Sequence, residues 1–461
     1  MTLIKSISGI RGTIGGEPNN NLTPIDVVRF AAAYGSYILS DPNVSEATIV
    51  IGRDARISGA MVQALVSNTL IGLGIDVIDL GMATTPTVEM MVPKENAQGG
   101  IILTASHNPK QWNALKLLDS KGEFLNAVAG AKILEIAKNE AFDFASVDDL
   151  GSIKEDQTSL EMHINAVLDH PLVEIDLIRS SGIKVVVDGV NSIGGIAIPA
   201  LLKKLNIEVV ELYCEPNGHF PHNPEPLKEH LGALSEKVKE TKADFGIVVD
   251  PDVDRLAFMD ENGEMFGEEY TLVACADYVL SKTPGNTVSN MSSTRALKDI
   301  TEKHGGTYYS SAVGEVNVVT KMKEVNAIIG GEGNGGIIDP QLHYGRDSLI
   351  GTALFLSLLS EIKIPVSELK KTYPEYFMSK GKIELEPTMD VDFLLDAIEK
   401  VYQNENPNTI DGVKIDFSNS WVHLRKSNTE PIIRVYTEAP SQKEADDLMN
   451  RFKKELLELG R

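Results

Sequence analysis

The 461-residue chain has the composition of a globular protein, with 42% hydrophobic and 24% charged residues. Its formal net charge of −23, without any Lys/Arg run, argues against a nucleic-acid partner. No stretch approaches the roughly 20 apolar residues that cross a bilayer, and the N-terminus does not resemble a signal peptide. Cys214 and Cys275 fit neither a metal spacing nor a disulfide framework. We therefore expect a cytoplasmic protein with no membrane partner, for which anionic small molecules remain suitable ligands.

The first part of the chain alternates predicted strands and helices. Arg11 is flanked by glycines and is expected in a loop. Thr23 and Pro24 match a helix N-cap and first helical residue, so they predict a helix running to about Leu39. Three strands and two helices follow, and the last of these strands covers residues 100–103. This alternation, with buried Ile/Val runs in the strands, predicts a mostly parallel α/β sheet.

The rest of the chain contains two more α/β units and a smaller last unit. Buried strands are predicted at 183–187 and 245–249, then at 287–291 and 327–329, with a turn at 313–315. From about residue 380 the pattern is strand, helix, two strands and helix, which is typical of a small α+β domain. The predicted fold class is α/β, with three tandem mixed-sheet α/β domains and a smaller C-terminal α+β domain. The predicted domains are 1–155, 156–257, 258–373 and 374–461.

A short polar segment, Thr-Ala-Ser-His-Asn-Pro at 104–109, follows the predicted strand at 100–103. A serine placed just past a buried strand, with His107 beside it, makes Ser106 a candidate covalent nucleophile that needs a base or a metal to activate it. The alternative is an ordinary polar turn, in which Ser106 and Asn108 bond to their own backbone. This segment alone does not decide between the two.

Asp250, Asp252 and Asp254 follow the predicted strand at 245–249. Ligands of open α/β sheets bind at the carboxyl ends of strands, and three carboxylates converge on one point when a cation offsets their repulsion. All-oxygen ligation favours Mg²⁺, for which Mn²⁺ can substitute. A calcium-binding EF-hand is disfavoured because Arg255 stands where that loop needs Gly. A solvated acidic turn is the alternative.

Two further segments carry polar groups suited to a sugar phosphate or another anion. Residues 425–431 combine an Arg, two hydroxyls and an Asn amide, which are donors typical of a phosphate site; a surface turn is the alternative. Residues 332–336 are Gly-rich but match neither a Walker loop nor a dinucleotide fingerprint. Their glycines allow a polyhydroxyl ligand to approach the backbone closely. Arg11, His107 and Lys116 are candidate charge partners, although each one alone suits a surface or capping role.

Four motifs in one order carry a family resemblance. They are Thr-Ala-Ser-His-Asn-Pro at 104–109, Asp-Pro-Asp-Val-Asp-Arg at 250–255, Gly-Glu-Gly-Asn-Gly-Gly at 331–336 and Arg-Lys-Ser-Asn-Thr-Glu-Pro at 425–431. Together they closely resemble the α-D-phosphohexomutase family, over essentially the whole chain. That family includes phosphoglucomutases, phosphomannomutases and phosphoglucosamine mutases. The resemblance implies four domains around a central cleft.

The resemblance also implies roles for individual residues. Ser106 matches the serine that carries the phosphoryl group. Asp250, Asp252 and Asp254 match the ligands of Mg²⁺, and a phosphoserine oxygen completes that ligand set. Basic or proton-transfer groups around the phosphoserine correspond to Arg11, His107 and Lys116. Residues that contact the substrate correspond to Arg255, Glu332, Asn334, Arg425, Ser427, Asn428 and Thr429.

The implied activity is transfer of a phosphoryl group between the 1- and 6-positions of a hexose phosphate, through a phosphoserine enzyme and a bisphosphorylated sugar. The resemblance leans to phosphoglucosamine mutases of the archaeal-like branch, acting on glucosamine 6-phosphate as a monomer or homodimer, with phosphoglucomutase or phosphomannomutase as the alternative. Many members have His where Gly336 stands, and some have a basic residue where Glu315 stands. More distant alternatives are a serine-dependent sugar phosphatase and an inactive sugar-phosphate binding protein.

Overall fold

The structure, a computed structural model, describes residues 2–6, 9–384, 390–426 and 432–460. Four sheets follow one another along the chain. Each begins after the previous one is complete, so each sheet belongs to its own stretch of sequence. Within the described residues, no helix is long and apolar enough to cross a membrane.

The first sheet has seven strands in the order β1-β2-β6-β5-β3-β4-β7. The strands are β1 (Ile4–Ser6), β2 (Gly9–Thr13), β3 (Thr48–Arg53), β4 (Asp76–Met82), β5 (Gly99–Leu103), β6 (Trp112–Leu118) and β7 (Ile153–Glu155). The helices are α1 (Pro24–Leu39), α2 (Gly59–Gly72), α3 (Thr85–Lys94) and α4 (Ala127–Asn139). Strands β3, β4, β5 and β7 pair in parallel, whereas β1, β2 and β6 join β5 through antiparallel pairs. The sheet is therefore mixed rather than mostly parallel.

Helix α1 forms where the sequence predicted it. Thr23 caps it with a side-chain oxygen that accepts the Asp26 N–H, and the Asp26 carboxylate accepts the Thr23 N–H in return. This reciprocal capping box satisfies two backbone donors that a helix start leaves free. The expectation of a loop at Arg11 was wrong, because Arg11 lies in β2 and pairs with Ala114 of β6.

The second sheet has four strands in the order β11-β10-β8-β9, of which the β10–β11 pair is antiparallel. The strands are β8 (Lys184–Asp188), β9 (Glu208–Leu212), β10 (Phe245–Val249) and β11 (Leu256–Asp260). The helices are α5 (Ser159–Leu168), α6 (Ile175–Ser180), α7 (Gly194–Lys204) and α8 (Gly232–Thr241). Strand β10 is buried along its whole length and ends at the first aspartate of the acidic motif. That placement agrees with the prediction from the apolar run at 245–249.

The third sheet also has four strands, in the order β13-β12-β14-β15. The strands are β12 (Asn286–Asn290), β13 (Tyr308–Ser311), β14 (Ala327–Glu332) and β15 (Gly336–Ile338). The helices are α9 (Glu268–Lys282), α10 (Ala296–Lys303), α11 (Glu315–Val325), α12 (Ser348–Ile362) and α13 (Val366–Lys370). Two expectations need correction: Glu315 begins α11 instead of ending a turn, and Glu332 is the last residue of β14 instead of lying in a loop.

The fourth sheet is antiparallel throughout, in the order β16-β19-β18-β17. The strands are β16 (Phe377–Glu384), β17 (Val413–Asp416), β18 (Trp421–Lys426) and β19 (Ile432–Ala439). The helices are α14 (Val391–Val401) and α15 (Gln442–Leu459). The sequence predicted two strands between these helices, and the structure has three. The four-residue β17 was missed because it is too short to show a strand period.

The second and third units share one hydrophobic core, whereas the first and fourth have cores of their own. Phe258 of β11 stacks on Phe355 of α12 with ring centroids 3.8 Å apart, and Phe245 and Phe266 meet the same ring edge-on. The predicted fold class, three α/β domains and a smaller α+β domain, is confirmed. The exact domain boundaries stay a prediction.

Candidate active site

One cavity of about 580 Å³ receives side chains from all four units and is called the cleft below. Residues predicted for the site that line it are Arg11, Ser106, His107, Lys116, Arg255, Glu332, Asn334 and Arg425. Ser427, Asn428 and Thr429 lie outside the described residues. The structure thus gathers residues that are spread over more than 400 positions of sequence around one cleft.

Ser106 lies in the serine loop, residues 104–109, directly after β5. Its Oγ donates to Asp250 Oδ2 at 2.6 Å, and its backbone N–H donates to Thr104 Oγ1 at 2.9 Å. Its φ of 48° lies in the left-handed region, which residues other than glycine seldom adopt. The hydroxyl is therefore aimed at the acidic motif rather than back at its own turn.

Arg56 fixes the serine loop through hydrogen bonds to its backbone carbonyls. The side chain is fully buried, and its two terminal nitrogens donate to four carbonyls, those of Ser106, Asn108 and Pro109 in the loop and that of Trp112 at the start of β6. Its Nε donates to Asp54 Oδ2 at 2.9 Å, and the same carboxylate oxygen accepts Thr104 Oγ1 at 2.7 Å. The sequence analysis did not single out Asp54 or Arg56. Their signal was a charged run directly after β3, the strand that neighbours β5.

His107 lies next to Ser106 in the serine loop, and Arg11 contacts the same loop from β2. His107 Nδ1 lies 3.4 Å from Ser106 Oγ. Burial, together with the positive charges of Arg255 and Arg11, lowers the pKa of His107 to about 2, so its imidazole is neutral at physiological pH. Arg11 Nη1 donates to Asn108 Oδ1 at 2.9 Å. Arg11 therefore supplies fixed positive charge, and His107 supplies a neutral ring.

Lys116 reaches the acidic motif from β6, a strand that the sequence analysis did not predict. Its Nζ lies 2.7 Å from Asp252 Oδ2 and 3.3 Å from Asp254 Oδ2. Burial alone would lower the pKa of Lys116, but the two carboxylates outweigh it and raise that pKa. Lys116 is therefore a permanent cation beside the site.

The aspartate triad, Asp250, Asp252 and Asp254, is fully buried, and one ligand oxygen from each lies within 4.8 Å of the others. Asp250 Oδ1 accepts the N–H groups of Asp254 and Arg255. Within the described chain, Oδ1 of Asp252 and Oδ1 of Asp254 have no hydrogen-bond partner. Buried carboxylate oxygens without partners are costly unless a cation completes them. The donor set therefore fits a small, hard metal ion.

Burial and mutual repulsion act strongly on the triad. Burial, followed by the charges of Asp252 and Asp254, raises the pKa of Asp250 well above its ordinary value. For Asp252, burial also acts to raise the pKa, but Lys116 outweighs it and lowers that pKa. From the sequence, a metal was expected to offset the repulsion among the three carboxylates. In the structure, amino-acid cations already offset part of it.

Arg255 and the turn before it form the wall contributed by the second unit. Arg255 Nη1 lies 3.2 Å from Glu225 Oε1, so the ion pair fixes the direction of the guanidinium. Its Nε is buried and has no partner among the described residues. Arg255 thus keeps a free donor next to the triad.

The third unit places Glu332 and Asn334 at the β14–β15 hairpin. Glu332 Oε1 accepts Asn290 Nδ2 at 2.8 Å and the Gly314 N–H at 3.0 Å. Glu332 Oε2 accepts Arg346 Nη1 at 2.9 Å. Asn334 Oδ1 accepts the Gly336 N–H at 3.2 Å. Glu332 is held to the cleft wall by neighbours from several segments, and Asn334 is held by its own hairpin.

Arg346 and Glu315 complete this wall, and the sequence analysis assigned neither a role. Arg346 Nε donates to Glu315 Oε2 at 2.9 Å, and Arg346 Nη2 donates to Asp254 Oδ2 at 2.6 Å. Burial raises the pKa of Glu315 to about 7, although the charge of Arg346 acts against the shift. The sequence offered one signal, an arginine between Gly345 and Asp347 shortly after the Gly-rich motif.

Arg425 projects into the cleft from β18 of the last unit. Its Nε donates to Asp411 Oδ1 at 2.9 Å, and Asp411 Oδ2 accepts the Val313 N–H at 3.0 Å. Through these two hydrogen bonds, Asp411 connects the fourth unit to the third at the edge of the cleft. Of the predicted phosphate-binding loop, only Arg425 and Lys426 belong to the described residues.

Comparison with known proteins identifies the family. Four models match in succession: phosphoglucomutase/phosphomannomutase alpha/beta/alpha domain I at residues 3–144, domain II at 161–263, domain III at 267–376 and the C-terminal domain at 361–455. The chain belongs to the phosphoglucomutase/phosphomannomutase family. The resemblance inferred from the four motifs is thereby confirmed.

Relatives carry both groups of names that the resemblance allowed. The chain is 35% identical over 455 residues to a phosphoglucomutase/phosphomannomutase of Thermococcus kodakarensis, covering 97% of each protein. It is 31% identical over 453 residues to a phosphoglucosamine/phosphogalactosamine mutase of Sulfurisphaera tokodaii, again covering 97% of each. A crystal structure of a family protein from Burkholderia thailandensis has the same fold, with a TM-score of 0.85 at 24% identity, over 99% of this chain and 97% of that one.

Proposed function

We propose that the protein is a phosphohexomutase in which Ser106 carries the phosphoryl group. It moves that group between the 1- and 6-positions of a hexose phosphate, with glucosamine 6-phosphate as the favoured substrate and glucose or mannose phosphates as the alternatives. The observation that carries the proposal is the 2.6 Å contact between Ser106 Oγ and the triad residue Asp250, in a cleft whose far wall presents Arg425.

The proposed metal is Mg²⁺, held by Asp250, Asp252 and Asp254 together with the phosphoryl group on Ser106. The unpartnered oxygens of Asp252 and Asp254 support this, because a hard cation prefers carboxylate ligands. A bound Mg²⁺ would withdraw charge from the phosphoryl oxygens.

The chain's own residues would then carry out the transfer. Lys116 and Arg11 are fixed cations on the Ser106 side of the cleft, suited to stabilise the charge that develops on the transferring oxygens. The phosphorus–oxygen bond to Ser106 breaks as a bond to a sugar hydroxyl oxygen forms, and the proton of that hydroxyl passes to the released Ser106 oxygen. The bisphosphorylated sugar turns end for end, and the reverse transfer returns its other phosphoryl group to Ser106.

Substrate recognition is proposed to be divided between two walls. Glu332 and Asn334 would accept and donate hydrogen bonds to sugar hydroxyls, while Arg425 would bind the phosphate that is not being transferred. Arg255 would contact the substrate beside the metal. Ser427, Asn428 and Thr429 are proposed to complete the phosphate site with Arg425. A phosphatase needs no such second phosphate site, so the presence of Arg425 in the cleft favours the mutase. The retained Ser106 and triad argue against an inactive binding protein.

The remaining parts of the proposal concern organisation and compartment. The units 1–155, 156–257, 258–373 and 374–461 would carry the nucleophile, the metal, the sugar-recognition and the phosphate-binding residues in that order. The free thiols of Cys214 and Cys275 support a reducing cytoplasm. We propose a monomer or a homodimer, which size-exclusion chromatography with light scattering distinguishes.

The decisive experiment replaces the nucleophile. Ser106→Ala should abolish mutase turnover, and the intact mass of wild-type protein should show a phosphate that maps to Ser106. Ser58→Ala is the matched control, since Ser58 bonds Asn113 outside the cleft and its loss should leave turnover near wild type. Full activity in Ser106→Ala contradicts the covalent scheme.

A second measurement decides the sugar. The kcat/KM values on glucosamine 6-phosphate, glucose 1-phosphate and mannose 1-phosphate should be highest for glucosamine 6-phosphate. A clear preference for glucose or mannose phosphate would replace the proposed substrate and leave the mutase chemistry unchanged.

A further inference from the structure

Arg346 makes contacts that no assigned role explains. Its three guanidinium nitrogens donate to three carboxylates: Nε to Glu315 at 2.9 Å, Nη1 to Glu332 at 2.9 Å and Nη2 to Asp254 at 2.6 Å. The residue is only 8% exposed. One buried positive charge therefore serves three buried carboxylates, and it connects the aspartate triad directly to the proposed sugar-recognition residue.

Arg346 and a bound metal would use different oxygens of Asp254. Oδ2 already accepts Arg346 Nη2 and lies 3.3 Å from Lys116 Nζ. Oδ1 is without a partner in the described parts of the chain and is free for a cation. A metal on Oδ1 and the guanidinium on Oδ2 would share one carboxylate. Because the two cations repel each other, Arg346 must weaken metal binding at the triad.

The β14–β15 hairpin leaves space for the Arg346 side chain at Gly336. A Cβ placed on Gly336 would lie 2.3 Å from Arg346 Cδ and 3.0 Å from Cγ. Gly336 pairs with Glu332 across the β14–β15 turn. Any larger side chain at position 336 would push Arg346 away from Glu332 and Asp254. Glycine at this position thus follows from the need for room rather than from backbone conformation.

We propose that Arg346 is a positioning residue that couples the two halves of the site: it holds Glu332 in place for the sugar and lowers the affinity of the triad for its divalent cation. The second half of this statement rests on the metal site of the proposed function. The planar guanidinium spans three acceptors in different directions, which a lysine ammonium cannot do from a single position.

Metal affinity separates this role from a merely structural one. The free Mn²⁺ concentration during a titration, followed by electron paramagnetic resonance without sugar present, gives the affinity of the triad. Arg346→Met should bind Mn²⁺ about tenfold more tightly than wild type, because a competing cation has left Asp254. The KM for the hexose phosphate should rise about tenfold in the same variant, since Glu332 loses its ion pair with Arg346. A residue that only supports the fold would weaken both.

Two further variants keep the inference falsifiable if Arg346→Met folds poorly. Gly336→Ala keeps the charge but displaces the guanidinium, so it should also tighten Mn²⁺ binding and raise KM, by smaller factors. Arg346→Lys keeps a cation near Asp254, so its Mn²⁺ affinity should stay within about threefold of wild type while its KM rises. Arg295→Met is the control for loss of an arginine, since Arg295 donates to the carbonyl of Phe417; its Mn²⁺ affinity should not change.

Unchanged or weaker Mn²⁺ binding in folded Arg346→Met and Gly336→Ala proteins, checked by circular dichroism, overturns the inference. The titration needs no turnover, so its outcome is separate from the Ser106→Ala test. Tighter Mn²⁺ binding supports the coupling even if Ser106 carries no phosphate, and a phosphorylated Ser106 stands even if Arg346 has no effect on the metal.

Discussion

The serine loop and the strand that carries Arg425 border the same cleft, but they are held in different ways. Arg56 donates to three carbonyls of the serine loop and to that of Trp112, and Ser106 itself donates to Asp250. Arg425 makes an ion pair with Asp411, a partly buried residue at the joint between the third and fourth units. The serine loop is fixed by buried contacts from three segments, whereas among the described residues the Arg425 side chain is fixed by one partly exposed ion pair.

This difference in attachment suits the proposed reaction, in which the bisphosphorylated sugar has to reverse its orientation in the cleft. Phosphoryl transfer requires the nucleophile to stay in one position, because small misplacements of reacting atoms cost large factors in rate. Phosphate recognition has to accept both orientations of the intermediate, so a looser attachment is an advantage there. Substitutions in the two regions should therefore affect different kinetic constants.

The largest effect is expected at Arg56. Arg56→Lys removes most of the four carbonyl contacts and should lower kcat about 100-fold or more, with little change in KM, because the Ser106 hydroxyl loses its fixed position. Arg53→Lys is the matched control, since Arg53 bonds Gln63 and the carbonyl of Asp54 rather than the serine loop. Steady-state kinetics measure both variants. A kcat for Arg56→Lys close to wild type would show that the loop holds its own shape.

The next largest effect is expected at Arg425. Arg425→Ala removes charge-assisted bonds to the distal phosphate, which are worth roughly 1.5–3 kcal/mol, so KM should rise about 10- to 100-fold while kcat falls less. Lys426→Ala is the control, because Lys426 is paired with Asp392 at an exposed position. A fall in kcat with unchanged KM would place Arg425 with the rigid region instead.

A pH effect is expected at the joint behind Arg425. His423 is buried, with Nδ1 2.9 Å from Ser292 Oγ and Nε2 2.6 Å from the carbonyl of Asp411. Burial lowers the pKa of His423 to about 4. The unfolded chain therefore binds a proton between about pH 6.5 and 4 that the folded chain does not bind, so stability falls as the pH falls through this window.

For His423 the expected loss is about 2 kcal/mol in the free energy of unfolding between pH 7 and pH 5. Urea denaturation at the two pH values measures it. His423→Gln should be less stable at pH 7 but should show a smaller difference between the two pH values. An equal pH difference in wild type and His423→Gln would rule out this histidine as the cause.

The smallest effect is expected at Asp411. Asp411→Asn keeps the shape of the side chain and its acceptor for the Val313 N–H but weakens the grip on Arg425. Since exposed ion pairs contribute about 0–1 kcal/mol, KM should change by no more than about threefold. A change as large as that of Arg425→Ala would mean that the attachment of Arg425 is as rigid as the serine loop, and the contrast between the two regions would be lost.

Local motifs were predictable from the sequence, and partners across sheets were not. Ser106 and the triad follow strands β5 and β10, whose apolar runs are visible in the sequence. Arg11 and Lys116 lie on β2 and β6, which pair antiparallel. Strand β2 is rich in glycine and β6 has few β-branched residues, so neither strand shows a clear pattern in the sequence. Their positions depend on pairing between distant segments.

Arg56 and Arg346 show the same limit for side chains. Each is a charged residue just after or between regular elements, and in the sequence it looks like an ordinary surface residue. Its burial follows only from the carbonyls and carboxylates that other segments bring to it. The family resemblance supplied most of the cleft residues, but it offered no reason for Gly336. That reason is the space taken by Arg346.

The core shared by the second and third units bears on how the protein unfolds. Stacked aromatic rings from β11 and α12 lie in a single buried cluster that extends from Ile164 to Tyr373, whereas the last unit closes its own cluster around Phe452. Elements that share a core lose their packing together. Differential scanning calorimetry should therefore resolve no more than three cooperative transitions, and the one formed by the two middle units should carry the largest enthalpy.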